Sequence, residues 1–263
     1  MDHNINTGNL EHRFGSINRL YGPKALPSLS SKHVIIVGIG GVGSWVAESL
    51  SRTGIGELTL IDWDDICMTN INRQVHALDN AIGRGKVDLM RERISHINPE
   101  CKVNAIREYL NPDNAKELIH NNCNLVIDAI DKMTPKSHIL ANARRNKIRS
   151  ITVGGAGGVR DFFSITSSDL LFTKNDKLLA LVRRNLKRDF GFRKYTKKFK
   201  IDAVYSNELK VFPNENMIPS CEKPTTKEKG IGCHHGYGSA AHITAGFGMA
   251  VCSLALRRLL QKE

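Results

Sequence analysis

Acidic residues are the scarce class in this chain: 26 Asp and Glu stand against 38 Lys and Arg in 263 residues. The formal net charge is +12 and the pI about 9.5. That balance points to a polyanionic partner, with solubility as the plainer alternative. Paired cysteines are missing as well. Six cysteines lie at 67, 101, 123, 221, 233 and 252, and no two form a C-x-x-C. Such spacing argues against a structural zinc site and against a disulfide framework. A reducing, cytoplasmic setting is the expectation. The first residues, Met1–Glu11, hold no apolar stretch of the kind a secretory leader needs. The run Ser239–Leu256 carries no charge over its 18 residues. It touches the lower limit for a membrane span, but its Gly, Ser, Thr and His suit lipid poorly, and a buried C-terminal helix is expected.

What is there begins with His33–Ser44, H-V-I-I-V-G-I-G-G-V-G-S. A short β-branched run ends in glycines, and a helical pattern follows at once. The stretch reads as strand, tight turn and helix. Gly38 permits the turn. Gly40 and Gly41 let backbone N–H groups approach a phosphate, and Gly43 lets the helix pack near the strand. A second strand, 57–61, ends at Asp62, where a ribose-binding acid belongs. A polar loop follows through His76, D-W-D-D-I-C-M-T-N-I-N-R-Q-V-H.

Further on, strands at about 102–108, 124–129, 149–153 and 203–211 alternate with helices at about 87–97, 112–120 and 135–146. A short helix is expected within 12–22 and a loop over 23–31. The alternation predicts an α/β fold: a Rossmann-like, doubly wound and mainly parallel sheet. After the glycine run 154–158 the character changes. Lys174–Lys200 holds eleven Lys or Arg against two Asp, a net of nine positive charges, with Phe190, Phe192, Tyr195 and Phe199 interleaved. Cations with aromatic faces suit nucleic acid; a solvated amphipathic helix with its leucines turned inward is the plainer reading, and both can hold. Arg183, Arg184, Lys187, Arg188, Arg193 and Lys194 are the candidate RNA contacts. Cys233-His234-His235 has no second cluster to partner it and is expected to be structural or merely exposed.

Arg73 and Lys86, after the second strand and at the next helix start, favour a triphosphate over a nicotinamide cofactor, because several phosphate charges need neutralising. Asp131, past the fourth strand, suits Mg²⁺ bridging phosphate oxygens. A nicotinamide-dependent reductase and a non-catalytic RNA-binding protein are the readings from other classes; tight NAD binding without ATP binding, or absent ATP turnover, would favour them.

Taken together, Gly38-Ile-Gly40-Gly41-Val-Gly43-Ser44, Asp62-Trp-Asp64, Asn70-x-x-Arg73-Gln74, Lys86 and Asp128-x-x-Asp131 resemble the adenylating superfamily of ubiquitin- and sulfur-carrier-activating enzymes. The resemblance implies that Asp62 takes ribose, that Asn70, Arg73 and Lys86 take the phosphates with Gln74 beside them, and that Asp131 takes Mg²⁺. It implies that Arg13, in R-F-G-S-I-N-R-L-Y-G, reaches the partner's ATP across a homodimer. The sulfur-carrier branch has a zinc-binding pair of C-x-x-C motifs, absent here. The basic segment, the 154–158 glycines and the stretch 202–247 look instead like the bacterial tRNA threonylcarbamoyladenosine dehydratases, from about residue 11 to 260. That likeness implies one domain over 1–263, with a nucleotide-binding half at about 11–158 and a tRNA-binding half at about 159–263. It implies ATP-dependent cyclisation of a modified tRNA adenosine beside the anticodon, through carboxylate adenylation and loss of AMP. It also implies a bound Na⁺ or K⁺ with no ligands assigned, and a cysteine desulfurase with its sulfur acceptor as partners. The alternative within the superfamily is adenylation of a ubiquitin-like carrier's C-terminus, with Cys233 as acceptor.

Overall fold

The structure is a computed structural model that describes residues 10–119, 122–195, 197–214, 217–221 and 237–261. Two helices, α1 (Leu10–Tyr21) and α2 (Ala25–Ser30), precede strand β1 (His33–Val37). Helix α3 (Gly41–Ser51), β2 (Glu57–Ile61), α4 (Lys86–Ile97) and β3 (Lys102–Ile106) complete the first half. Then follow α5 (Ala115–Leu118), β4 (Leu125–Asp128), α6 (Met133–Arg145) and β5 (Arg149–Val153). The remainder comprises β6 (Ile165–Asp169), α7 (Lys177–Asp189), β7 (Asp202–Ser206), a small hairpin β8 (Phe212–Pro213) and β9 (Pro219–Ser220), and α8 (Ala241–Leu260).

Seven strands form one sheet in the order β3-β2-β1-β4-β5-β7-β6. All neighbours are parallel except β6, which runs antiparallel to β7 at the edge. The chain winds outward from β1 to β3, then returns to β4 and winds the other way. The order therefore reverses between β1 and β4, and ligands in such sheets bind in the crevice beyond the strand ends at that point.

Strand alternation decides the two layers. Val34 and Ile36 face Val46, Leu50, Met90, Ile94, Phe247 and Val251 on α3, α4 and α8. Ile35 and Val37 face Leu118, Ile119 and Ile139 on the other side. Helix α7 closes that second face farther along, with Leu179, Val182 and Leu186 packed beside Ala203 and Tyr205. The uncharged C-terminal segment is therefore a core helix. It is the one helix among the described residues long and apolar enough to span a membrane, but Gly248 lies so close to α3 that a Cβ there would stand 2.5 Å from the Trp45 Cβ.

Three expectations need correction. The 23–31 loop contains α2, because Pro27 falls in the first helical turn, where its missing N–H has no helical acceptor to lose. The helix expected over 112–120 is only the single turn Ala115–Leu118. The strand expected over 203–211 ends at Ser206, and its antiparallel neighbour β6 went unread. Cys233-His234-His235 lies outside the described residues.

Candidate active site

Every parallel strand ends on one edge, and the nucleotide candidates gather there. Beyond β1, Gly38 takes φ +89°, and a Cβ on it would lie 3.0 Å from the backbone of Ala129. β1 and β4 thus leave the sheet nearly in contact at the reversal point. Gly43 stands so near the turn that a Cβ would meet the Gly38 carbonyl oxygen at 1.7 Å. Helix α3 passes over the turn only because both positions lack side chains. Gly40 caps α3 with no side-chain hydrogen bond. The first-turn amides, from Gly41 on, lack helical acceptors and point outward with the positive end of the dipole, which suits a phosphate.

Asp62 ties the glycine turn to β2. One carboxylate oxygen accepts the Ile39 amide at 2.6 Å, and the other accepts the Asp64 amide at 3.0 Å. Burial pushes its carboxyl above the usual range, against the pull of Lys86 and the two amides. Each oxygen keeps a lone pair for a ribose hydroxyl. Lys86 opens α4, is buried, and places its ammonium 2.8 Å from Asp64.

Arg73 is held by groups far away in sequence. Its carbonyl accepts the Trp45 indole N–H at 3.1 Å and the Thr244 hydroxyl at 2.9 Å. A Cβ on Gly41 would sit 3.6 Å from Arg73 Cδ, so the side chain lies beside the start of α3. Its guanidinium donates to the Thr69 carbonyl and to Asn72 Oδ1. Asn70 is buried and accepts the Cys67 amide at 3.2 Å, which closes the turn that presents Arg73. Gln74 is buried, and its Oε1 finds no partner among the described residues. His76 is buried with both ring nitrogens unpartnered, and burial, with Lys86 and Arg93 adding to it, pushes it down to about 4.

Asp128 and Asp131 sit in different surroundings. Asp128 is fully buried and meets the Lys136 ammonium at 2.7 Å and the Thr152 hydroxyl at 2.7 Å. Asp131 is exposed just past the strand end. No group of three or more His, Cys, Asp or Glu able to hold a metal occurs among the described residues. Arg13 lies elsewhere. It donates to the Ile97 carbonyl at 3.4 Å and lines a cavity of about 650 Å³ with Arg52, Arg84 and Arg93. None of the nucleotide candidates lines that cavity.

The basic segment divides. Arg183 is engaged by the Thr173 hydroxyl and the Leu170 carbonyl, and burial lowers its guanidinium. Arg188 pairs with Asp189 at 2.7 and 2.8 Å and with Asn185 at 2.9 Å. Arg184, Lys187, Arg188, Arg193 and Lys194 are exposed. Trp45 and Thr244 were not legible as site residues. Neither carries a motif, and Thr244 acts across 171 positions.

Sheet order, glycine turn and cationic strand ends together define a Rossmann-like nucleotide-binding protein built for a polyphosphate. More narrowly, the chain belongs to the ThiF family, whose model matches residues 15–262. It is 47% identical to the tRNA threonylcarbamoyladenosine dehydratase of Haemophilus influenzae over 97% of this chain and 96% of the relative. Its structure is similar to that of Escherichia coli tRNA N6-threonylcarbamoyladenosine dehydratase, TcdA, in complex with ATP (TM-score 0.84, 44% identity, 95% of this chain and 94% of that one). The complex of the same E. coli enzyme with AMP gives TM-score 0.82 at 43% identity and equal coverage.

Proposed function

We infer that this chain is an ATP-dependent tRNA threonylcarbamoyladenosine dehydratase. The observation that carries the reading is a polyphosphate-binding strand edge in a chain nearly half identical, over almost its whole length, to proteins of that name. In this reading Asp62 holds the ribose of ATP, and the α3 amides, Arg73 and Lys86 hold its phosphates. An oxygen of the threonyl carboxylate attacks the α-phosphorus. The bond from that phosphorus to the oxygen bridging toward the β-phosphate breaks, and pyrophosphate leaves. Lys86 and Arg73 offset the charge that gathers on the phosphoryl oxygens. A carbamoyl atom of the same side chain then attacks the activated carbonyl carbon and gives up its proton. AMP leaves with one former carboxylate oxygen, and the ring closes with the net loss of one water. No protein nucleophile takes part.

Asp131 is the carboxylate we assign to Mg²⁺. Asp128 is consumed by Lys136 and Thr152, whereas Asp131 is exposed beside the phosphate position. A hard cation that takes most of its ligands from phosphate and water needs only one such group. When bound, it neutralises phosphate charge. We assign no ligands to a monovalent cation. We propose that Arg13 serves the partner's site in a homodimer, because its own cavity holds none of the nucleotide candidates. Exposed Arg184, Lys187, Arg193 and Lys194 form the tRNA face, with the half from about 159 onward carrying most of it. A cytoplasmic setting fits these assignments, and a sulfur-transfer partner rests on the family resemblance alone.

The test is pyrophosphate and AMP release by the purified protein with tRNA bearing or lacking the threonylcarbamoyl group. Stoichiometric release only with the modified tRNA supports the reading. Release that depends on a small carrier protein, and not on tRNA, overturns it.

A further inference from the structure

The glycine run after β5 serves a cluster that the nucleotide site does not use. Asp128 pairs in register with Thr152, so Gly154 and Gly155 leave the sheet beside Ile130 and Asp131. Asp176, buried, accepts the Gly155 amide at 2.9 Å, the Leu179 amide at 2.8 Å and the Lys210 ammonium at 3.1 Å. It thereby ties the glycine run, the start of α7 and the 210 segment into one unit. Gly158 completes the clamp. Its amide donates to the Gly238 carbonyl at 2.9 Å, and its carbonyl accepts the Val211 amide at 2.9 Å.

That clamp packs two rings against each other at a tilt. Phe212 and Tyr237 have centroids 4.8 Å apart at an interplanar angle of 38°. A Cβ on Gly157 or Gly158 would come within 2.7 Å of Tyr237, so these glycines let the ring lie against the backbone. Tyr237 is nonetheless 43% exposed. Cations lie over the pair: the Lys177 ammonium stands 5.1 Å from the Phe212 centroid, and that of Lys210 5.8 Å from the Tyr237 centroid. Lys177 is the first residue of α7, so the rings continue the exposed basic face that Arg184 and Lys187 present.

We propose that Phe212 and Tyr237 form a stacking platform for an unpaired base of the RNA substrate, beside the position where its carboxylate meets ATP. The proposal rests on the dehydratase reading. Ring faces that draw cations match a nucleotide of a single-stranded loop: the base takes the Phe212 face and the displaced Lys177 ammonium meets its phosphate. A base held there fixes the modified adenosine at the edge that carries Asp131, Lys86 and the α3 amides. A platform of this kind selects splayed-out loops over duplex RNA.

The experiment uses the full chain and a synthetic anticodon stem–loop carrying threonylcarbamoyladenosine, with 2-aminopurine at the neighbouring loop position. Binding to the wild-type protein is expected to change the 2-aminopurine emission. Tyr237→Leu and Phe212→Leu keep apolar volume but remove a ring. Each is expected to weaken RNA binding roughly tenfold or more, as the loss of one stacked base does. The emission change should be lost, while ATP affinity and the salt dependence of RNA binding stay as in the wild type. Tyr237→Phe should bind as the wild type does. Equal RNA affinity in the Leu variants, or a loss of ATP affinity alongside, overturns the platform. If the Leu variants melt early, the wild-type emission decides: no change on binding overturns it. Failure of the wild type to release AMP with modified RNA defeats the dehydratase reading; release by the wild type with unaffected Leu variants defeats the platform alone.

Discussion

Replacing Lys136 by Met should destabilise the protein far more than its distance from the phosphates suggests. Lys136 and Asp128 are both 0% exposed, with 2.7 Å between ammonium and carboxylate. The ammonium also donates to Thr152 at 3.1 Å, and the Thr152 hydroxyl donates to the same Asp128 oxygen. Methionine fills nearly the same volume, so little of the loss comes from a cavity. The loss comes from the carboxylate left without its counter-charge in the interior, about 3–5 kcal/mol for a buried pair broken on one side. In a chain of this size that is roughly 6–20 °C in melting temperature. The double variant Lys136→Met, Asp128→Asn should regain much of the loss. Urea unfolding at pH 7 of the wild type, Lys136→Met, Asp128→Asn and the double variant measures this. A Lys136→Met loss below about 1 kcal/mol, or a double variant less stable than the single, would refute the reasoning about the stranded charge.

Four further outcomes follow from the geometry. His76, held near 4 by burial, is neutral in the fold but protonates in the unfolded chain below about 6.5. Stability should therefore fall by about 2 kcal/mol from pH 7 to pH 5, and His76→Phe should flatten that slope in urea melts. Lys86→Met should cut ATP-dependent AMP release roughly a hundredfold while tRNA affinity holds, because it removes a cation from the phosphates alone. Gly43→Ala, whose Cβ would stand 1.7 Å from the Gly38 carbonyl oxygen, should abolish ATP binding in calorimetry. Arg184→Gln with Lys187→Gln should lower the salt slope of tRNA binding by about 1.4, whereas Arg183→Gln, held by Thr173 and Leu170, should cost stability and leave the slope nearly unchanged.

The nucleotide half was legible because each signal is local. A β-branched run, a glycine turn and an acid at the next strand end lie within 30 residues and dictate one arrangement. The corrections have physical causes. Pro27 looks like a loop residue until its place in a first turn is known. β6, Ile-Thr-Ser-Ser-Asp, is an edge strand that buries little, so it carries no apolar alternation to read. Asp131 stood out in sequence as the acid past the fourth strand, but the role of Asp128 did not, since only the fold shows that Lys136 takes its carboxylate. The support of Arg73 by Trp45 and Thr244 was equally out of reach: it joins three segments by backbone and side-chain hydrogen bonds that no spacing announces. Which cations of the basic segment the fold engages was also out of reach of the sequence: Arg183 is half-buried against Thr173 and Leu170, whereas Arg188 is exposed and pairs with Asp189 at the surface.

The most direct test of the central claim is mass spectrometry of nucleosides from tRNA incubated with the protein and ATP. The account predicts a threonylcarbamoyladenosine lighter by one water, formed only when ATP is present and matched by AMP. Unchanged nucleosides despite AMP release would contradict it and make a carrier protein the substrate to examine.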